Sequence, residues 1–198
     1  VTRFIQNNAG VCPRILHTLK NLRGVAKMDM AKTDDPVLKS VYNGRQLAIK
    51  LSMNALYGFF GVRKGYYPKW KVAATVTFIG GGMIRHCRDR VHEWYAEQGA
   101  NVVYGDTDSI MVKFTATGIT PEVVFGLGQT AAAALSKEFP SPIKLEFEKV
   151  YMPYVLNGKK MYYAWKFETL GALQAYLRGE SGGCVDKKGI RIVRRDEC

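Results

Sequence analysis

Asn101-Val-Val-Tyr-Gly-Asp-Thr-Asp-Ser-Ile-Met-Val112 decides how the rest of this chain is read. It predicts two short apolar strands joined by a tight acidic turn. Asp106 and Asp108 are two residues apart, so both carboxylates crowd one turn. Like charges that close push one group toward protonation unless a cation sits between them. Hard oxygen ligands at short range suit Mg²⁺, which takes one or two carboxylates plus water and substrate phosphates. Asp, Thr, Gly and Ser are also ordinary turn residues, and from spacing alone a solvated hairpin turn is an equal reading.

The chain has 198 residues, 47% hydrophobic and 12% aromatic. That is enough for one full domain or two small lobes with a core. Its net charge of +12 and pI near 9.6 point to a polyanionic partner, nucleic acid or an anionic membrane surface. No apolar run reaches the roughly 18 residues of a transmembrane helix, and no membrane partner is expected. The N-terminus, Val1-Thr-Arg-Phe-Ile-Gln-Asn-Asn, resembles neither a signal nor a transit peptide, and without a starting Met it reads as processed or as a fragment. Cys12, Cys87, Cys184 and Cys198 lack CxxC spacing, which argues against zinc and for reduced intracellular thiols.

Residues 13–60 predict two helices broken near Lys32-Thr-Asp-Asp-Pro36. Pro13 suits a first helical turn, and Asp34 or Asp35 before Pro36 suits a cap. Ile15, Leu19, Leu22 and Ala26 make one apolar stripe, with Lys20, Arg23 and Lys27 as a separate basic stripe. In the second helix Ile49, Met53, Leu56 and Phe60 form the apolar face, and Gln46, Lys50, Asn54 and Tyr57 the polar one. Residues 61–70 read as a turn-rich link. A helix is expected from about Thr75 to Glu97, weakened at Gly80-Gly-Gly82 by roughly 1 kcal/mol per glycine. Another is expected from Pro121 to Phe139, and a strand over Lys144–Tyr151. Val155–Phe167 reads as a hairpin turning at Asn157-Gly158, and 174–189 as a glycine-rich loop.

Lys50, Asn54 and Tyr57 put a cation, an amide and a phenol on one helix face. Such a set can meet a phosphate, a sugar or base edge, and a base face. Alone it reads better as a surface face with one packed tyrosine. Taken with the acidic hairpin, it resembles the family B DNA polymerases, in particular the replicative delta-like enzymes and those of large DNA viruses. The family's Kx3NSxYG stands here as Lys50, Asn54, Ala55, Tyr57 and Gly58, with Ala55 for the usual Ser. YGDTDS is complete as Tyr104–Ser109. Leu145–Tyr151, Gly158–Tyr162, and Lys188-Gly189 with Val193-Arg-Arg-Asp-x-Cys198 resemble its LEFEKVY, KKRY and KGxxxVRRDxC segments, and Arg23-x3-Lys27 the basic pair of its first fingers helix. These segments occur in the family's order over nearly the whole chain.

The resemblance implies an α+β partial polymerase fold: a helical-hairpin fingers part over 1–62 and an antiparallel-sheet palm with backing helices over 63–198. It implies that Arg23, Lys27 and Lys50 hold the triphosphate of an incoming deoxynucleotide, and that Asn54 and Tyr57 line the nascent base pair. Asp106 and Asp108, with Glu148 nearby, would bind catalytic Mg²⁺, two ions in the intact enzyme. Lys159, Lys160, Tyr162, Lys188 and Arg194 would contact primer–template DNA. A processivity factor and a nuclear or viral replication site are implied for the full-length protein.

There are departures. Gly81 stands where the family has Arg, and the segment from Tyr163 to Lys187 is longer and richer in glycine. The family's other metal-binding segment, DFxSLYPSI, would lie upstream of Val1. Two metals roughly 4 Å apart need carboxylates from both segments, so the chain alone is expected to be inactive. The competing readings are a non-catalytic nucleic-acid-binding fragment and a haloacid-dehalogenase-like phosphatase. Against the latter, Ile110 stands where that family has Thr or Val, and no later Asp-Asp follows. His17, His86 and His92 do not cluster. Trp70, Trp94 and Trp165 read as packing residues, and Tyr66-Tyr67, near Lys64 and Lys69, as a packed link before a nucleic-acid contact.

Overall fold

The computed structural model describes residues 3–4 and 10–190. Among these residues are five α-helices and two antiparallel sheets, the α+β class expected. The chain forms two compact units, Val1–Ile79 and Gly80–Cys198.

The first unit is built on α1 (Val11–Lys32) and α2 (Pro36–Gly61). Asp35 caps α2, its Oδ1 accepting from the Val37 N–H at 2.8 Å, and Pro36 fits the first turn because that turn needs no N–H partner. Ile49, Met53, Leu56 and Phe60 lie on the half-buried side of α2, as expected. The stripe on α1 is rotated from the expected one. Ile15 and Leu22 are exposed, while Leu16, Leu19, Arg23 and fully buried Ala26 are covered. A polar pair explains the rotation. Gln46 is buried, and an unpaired buried amide costs about 1–3 kcal/mol. Arg23 Nε donates to its Oε1 at 3.2 Å, which brings Arg23 into the helix seam. Gln46 Nε2 in turn donates to Asn43 Oδ1 at 3.0 Å. Gln46 therefore leaves the exposed polar face, and Lys50, Asn54 and Tyr57 remain on it.

The third helix, α3 (Trp70–Trp94), starts earlier than its expected Thr75 and runs unbroken through Gly80–Gly82. Packing outweighs the glycine penalty. Cys87 and Val91 are almost fully buried and join Leu135 in a core flanked by Val102, Ile110 and Val112. The Val102 N–H donates to His92 Nε2 at 3.0 Å, tying α3 to the strand that follows.

In the second unit β1 (Asn101–Asp106) and β2 (Ser109–Lys113) pair antiparallel, as the acidic stretch predicted. Helix α4 (Pro121–Lys137) is capped by Thr120 and packs Phe125 against Phe167 and Leu173. Strands β3 (Val150–Gly158), β4 (Met161–Phe167) and β5 (Cys184–Lys188) form the second sheet, with β4 central.

Three expectations fail here. Residues 144–149 are not a strand, because their anchor is a side chain: Ser136 Oγ donates to Leu145 O and accepts from Leu145 N–H, at 2.9 and 2.8 Å. The β3–β4 turn is Lys159-Lys160, not Asn157-Gly158, with Lys160 at φ +60° and a register shift between Leu156 and Gly158. The glycine-rich 174–189 segment is no loop. It contains the end of α5 (Leu170–Leu177) and all of β5. Its glycines serve close approach: a Cβ on Gly182 would lie 2.2 Å from Ala172 O, and one on Gly189 2.1 Å from Lys160 O.

Gly189 also has φ +64°, a region that favours glycine. Gly189→Ala should therefore lose at least about 2 kcal/mol, since strain there and backbone overlap act together. Gly158→Ala, with nothing within 4 Å of its added Cβ, should lose less than about 1 kcal/mol. Denaturant unfolding of the two variants side by side checks this, and equal stability would show that the turn moves aside freely.

Candidate active site

The acidic turn is tighter than a common hairpin turn. The Asp108 N–H donates to Asp106 O, an i to i+2 bond that leaves Thr107 at φ +52°. Ser109 Oγ donates to the same carbonyl at 3.1 Å. In this turn Asp106 is half-buried and Asp108 exposed.

The β3–β4 tip meets this turn. Lys160 Nζ lies 2.7 and 2.6 Å from the two carboxylate oxygens of Asp106, and the Lys160 N–H donates to Tyr104 Oη at 2.9 Å. The Lys160 hydrogen bond holds the Asp106 carboxyl below its usual range, and the Asp106 carboxylate raises the Lys160 ammonium in return. Sequence reasoning missed this pair. The two residues lie 54 positions apart, and nothing in the chain between them encodes the meeting.

Behind the tip is a tyrosine cluster. Tyr151 and Tyr154 stack with ring centroids 5.4 Å apart, and Tyr162 lies against both and beside Tyr104. Tyr151 Oη donates to Asp186 Oδ2 at 2.7 Å, and Lys149 Nζ lies 3.4 Å from the same oxygen. Burial pushes the Tyr151 phenol far up, with its bonds to Tyr162 and Asp186 adding to the rise. Burial opposes the ionised Asp186 carboxyl, yet its Tyr151 and Lys149 partners hold it below the usual range. Tyr162 itself is only 7% exposed, so it faces the cluster rather than solvent.

The remaining candidates are distributed as follows. Lys159 is exposed at the tip, and Lys188, exposed at the end of β5, pairs in register with Tyr162. Glu148 is exposed beside Lys149, and among the described residues no three His, Cys, Asp or Glu side chains gather as a metal site. In the first unit Lys27, Lys50, Asn54 and Tyr57 are exposed, and Arg23 is tied to Gln46. Arg194 lies outside the described residues. Beside Gly81, where the resemblance implies Arg, Arg85 Nη1 lies 3.5 Å from the position a Cβ would take.

A divalent cation fits the acidic turn chemically. Two carboxylates suit an ion that completes its shell with water and phosphate oxygens, and a side-chain cation already bridges both oxygens of Asp106.

The profile of DNA polymerase family B matches residues 2–198. The DNA polymerase delta catalytic subunit of Candida albicans is 43% identical over 202 residues, covering 98% of this chain and 18% of that protein. That of Schizosaccharomyces pombe is 46% identical over 194 residues, 96% of this chain and 17% of that protein. The solved family B DNA polymerase from the hyperthermophilic archaeon Pyrobaculum calidifontis superposes with a TM-score of 0.60 at 25% identity, over 94% of this chain and 21% of that one. The chain thus spans less than a fifth of the length of these curated relatives. With a match running from residue 2 to the last residue, and with the acidic turn and its facing lysine tip in place, the chain belongs to DNA polymerase family B.

Proposed function

We propose that this chain is the fingers, over 1–62, and part of the palm, over 63–198, of a DNA-directed DNA polymerase that adds deoxynucleotides to a primer 3′-end. The observation that carries the reading is the Asp106–Asp108 turn with the lysine tip against it, in a chain matched by the family from end to end. Phosphoryl transfer is chiefly positioning and charge neutralisation. Lys27 and Lys50 meet the triphosphate as point charges, and Arg23, oriented by Gln46, joins them as a fork. Asn54 and Tyr57 line the nascent base pair. Asp106 and Asp108 would hold Mg²⁺, which would supply neutralisation of phosphate charge when bound. Glu148 belongs to the wider acidic surround of that site. Lys160 neutralises Asp106 here, and would be free to meet the duplex if a metal took that role. Lys159, Lys188 and Arg194 grip primer–template beside it, and Tyr162 supports the tip from within. Arg85 brings a guanidinium to the helix position that Gly81 leaves bare. A processivity factor and action in the nucleus or at a viral replication site follow from the same reading.

The isolated chain carries one metal-binding segment, so it should not extend a primer with Mg²⁺ or Mn²⁺. Grafted in place of the matching segment of the Schizosaccharomyces pombe subunit, it should. In that chimaera Asp108→Ala should cut extension by more than a thousandfold while duplex binding stays within about threefold, because a metal ligand is lost rather than a DNA contact. Activity within tenfold of the parent, about 1.4 kcal/mol, would refute the role of Asp108.

Lys50→Ala in the chimaera should raise the nucleotide KM, lower kcat, or both, with primer–template affinity unchanged. Collapse of DNA affinity with nucleotide dependence intact would make Lys50 a DNA contact.

Replacing Lys159 and Lys160 together by Ala should weaken duplex binding equally across sequences, since lysines on backbone and minor-groove acceptors give grip without readout. The salt slope should fall by roughly 1–2 units. Unchanged affinity and slope would leave the tip a solvated turn.

A further inference from the structure

The aromatic rings of this chain are divided between water and a cluster. Tyr66, Tyr67 and Trp70, expected to pack, are exposed between α2 and α3. Tyr104, Tyr151, Tyr154 and Tyr162 of the second unit gather instead behind the Lys159-Lys160 tip. That cluster leans on a charge away from the acidic turn. Asp186 stands on β5, with only 13% of its side chain exposed. In register it faces Ala164 of β4, and Ala164 faces Tyr154 of β3. Ala164 is fully buried, and its methyl takes little of the space over the central strand.

The carboxylate sets the direction of the hydroxyls. Tyr151 Oη donates to Asp186 Oδ2 at 2.7 Å, which commits its one proton. Tyr162 Oη, 3.4 Å from Tyr151 Oη, is then the donor between the two phenols. Lys149 Nζ completes the network, 3.4 Å from the same Asp186 oxygen and 5.5 Å from the Tyr151 ring centroid. Tyr162 follows Lys160 by two residues, and its ring meets Tyr104, whose Oη accepts the Lys160 N–H. A line of donors thus runs from behind the tip to a carboxylate on the third strand. Without Asp186 the Tyr151 hydroxyl has a rival acceptor on the ring stacked against it. Tyr154 Oη is buried and, among the described residues, has no partner. A buried ion pair is commonly no better for stability than apolar groups of its size. A fully satisfied polar network instead selects one arrangement among several.

We propose that Asp186 is a positioning residue for the Lys159-Lys160 tip, acting through the hydroxyls of Tyr151 and Tyr162. Its placing of the tip stands on the network alone, and its effect on duplex grip rests on the function proposed above. When the carboxylate is lost, the two phenols lose their common direction and Lys149 loses a counter-charge. The rings then settle in more than one way, and the tip follows them. The fold survives, because the core around Phe167 lies on the alternate face of β4 from Tyr162 and Ala164.

Two measurements test this. The first needs no catalysis and uses amide exchange of the 198-residue chain, followed by NMR at fixed pH. Exchange at Lys160 reports its bond to Tyr104, and exchange along the β4–β5 ladder reports the fold. Y151F and D186N should each speed exchange at Lys160 about fivefold, the worth of one hydrogen bond, with the ladder within about twofold. K149M/Y151F/D186L, which removes the polar groups together, should match the parent in denaturant unfolding and still speed exchange at the tip. The second measurement uses the Schizosaccharomyces pombe chimaera. There Y151F and D186N should raise the primer–template KM about fivefold, with kcat and the nucleotide KM within about twofold. The proposal is overturned if exchange at Lys160 stays at the parent rate in both single variants. It is overturned equally if tip and ladder speed up together, which marks a purely structural role. An unchanged primer–template KM, in a chimaera that D108A inactivates, also overturns it. A chimaera that stays active with D108A sinks the polymerase reading instead, and exchange at Lys160 still decides the role of Asp186.

Discussion

The ion pair between Lys160 and Asp106 joins two hairpins of the second unit, and the polar and aromatic contacts of that unit gather beside it. Asp106 and Asp108 flank a residue in the left-handed region, Thr107, and the Asp106 carboxylate is met by Lys160 from another hairpin. A surface ion pair of this kind contributes little to stability. Its value is positional. The Lys160 N–H is fixed by Tyr104, on the strand that leads into the acidic turn, so tip and turn hold each other at backbone level as well as through charge. Gly189 allows the end of β5 to press against the same tip. The stacked tyrosines beneath it replace a soft aliphatic core with flat, weakly deformable rings, and the Tyr151–Asp186–Lys149 network ties their edges.

The two units divide the chemistry. The second is nearly balanced in charge and carries the acidic turn, and the first carries ten of the chain's twelve net positive charges, on its helical pair and on the segment that follows α2. Few residues in that pair are fully covered, Ala26 and Gln46 among them.

Much of this was legible in the sequence, for local reasons. The α1–α2 break follows from Asp35-Pro36, a cap and a first-turn residue side by side. The β1–β2 hairpin follows from apolar runs around GDTD. What stayed hidden depended on contacts distant in the chain. Arg23 looked like part of a basic stripe until Gln46 on the opposite helix supplied its acceptor. Glycines at 182, 183 and 189 looked like loop composition, yet they mark places where backbone meets backbone around α5 and β5. Asn157-Gly158 carried the stronger turn signal, but a bulge moved the turn onto two lysines. The Lys144–Tyr151 alternation has the period of a strand, while Ser136 takes the backbone partner's place along its first part. Of the site, Asp106, Asp108 and Lys160 are near one another as residues of one chemistry. Glu148 is not gathered with the two aspartates, and nothing in its local sequence marks the separation.

The concentration of positive charge in residues 1–79 has a consequence for folding. A compact body carrying ten like charges repels itself. Added salt at 0.1 M screens that repulsion beyond about 10 Å and so strengthens the first unit, while under the proposed function the same salt would weaken its hold on a polyanion. Salt thus acts in opposite senses on fold and grip. At low ionic strength a polyanion that bound only the folded form would add to the stability of the first unit.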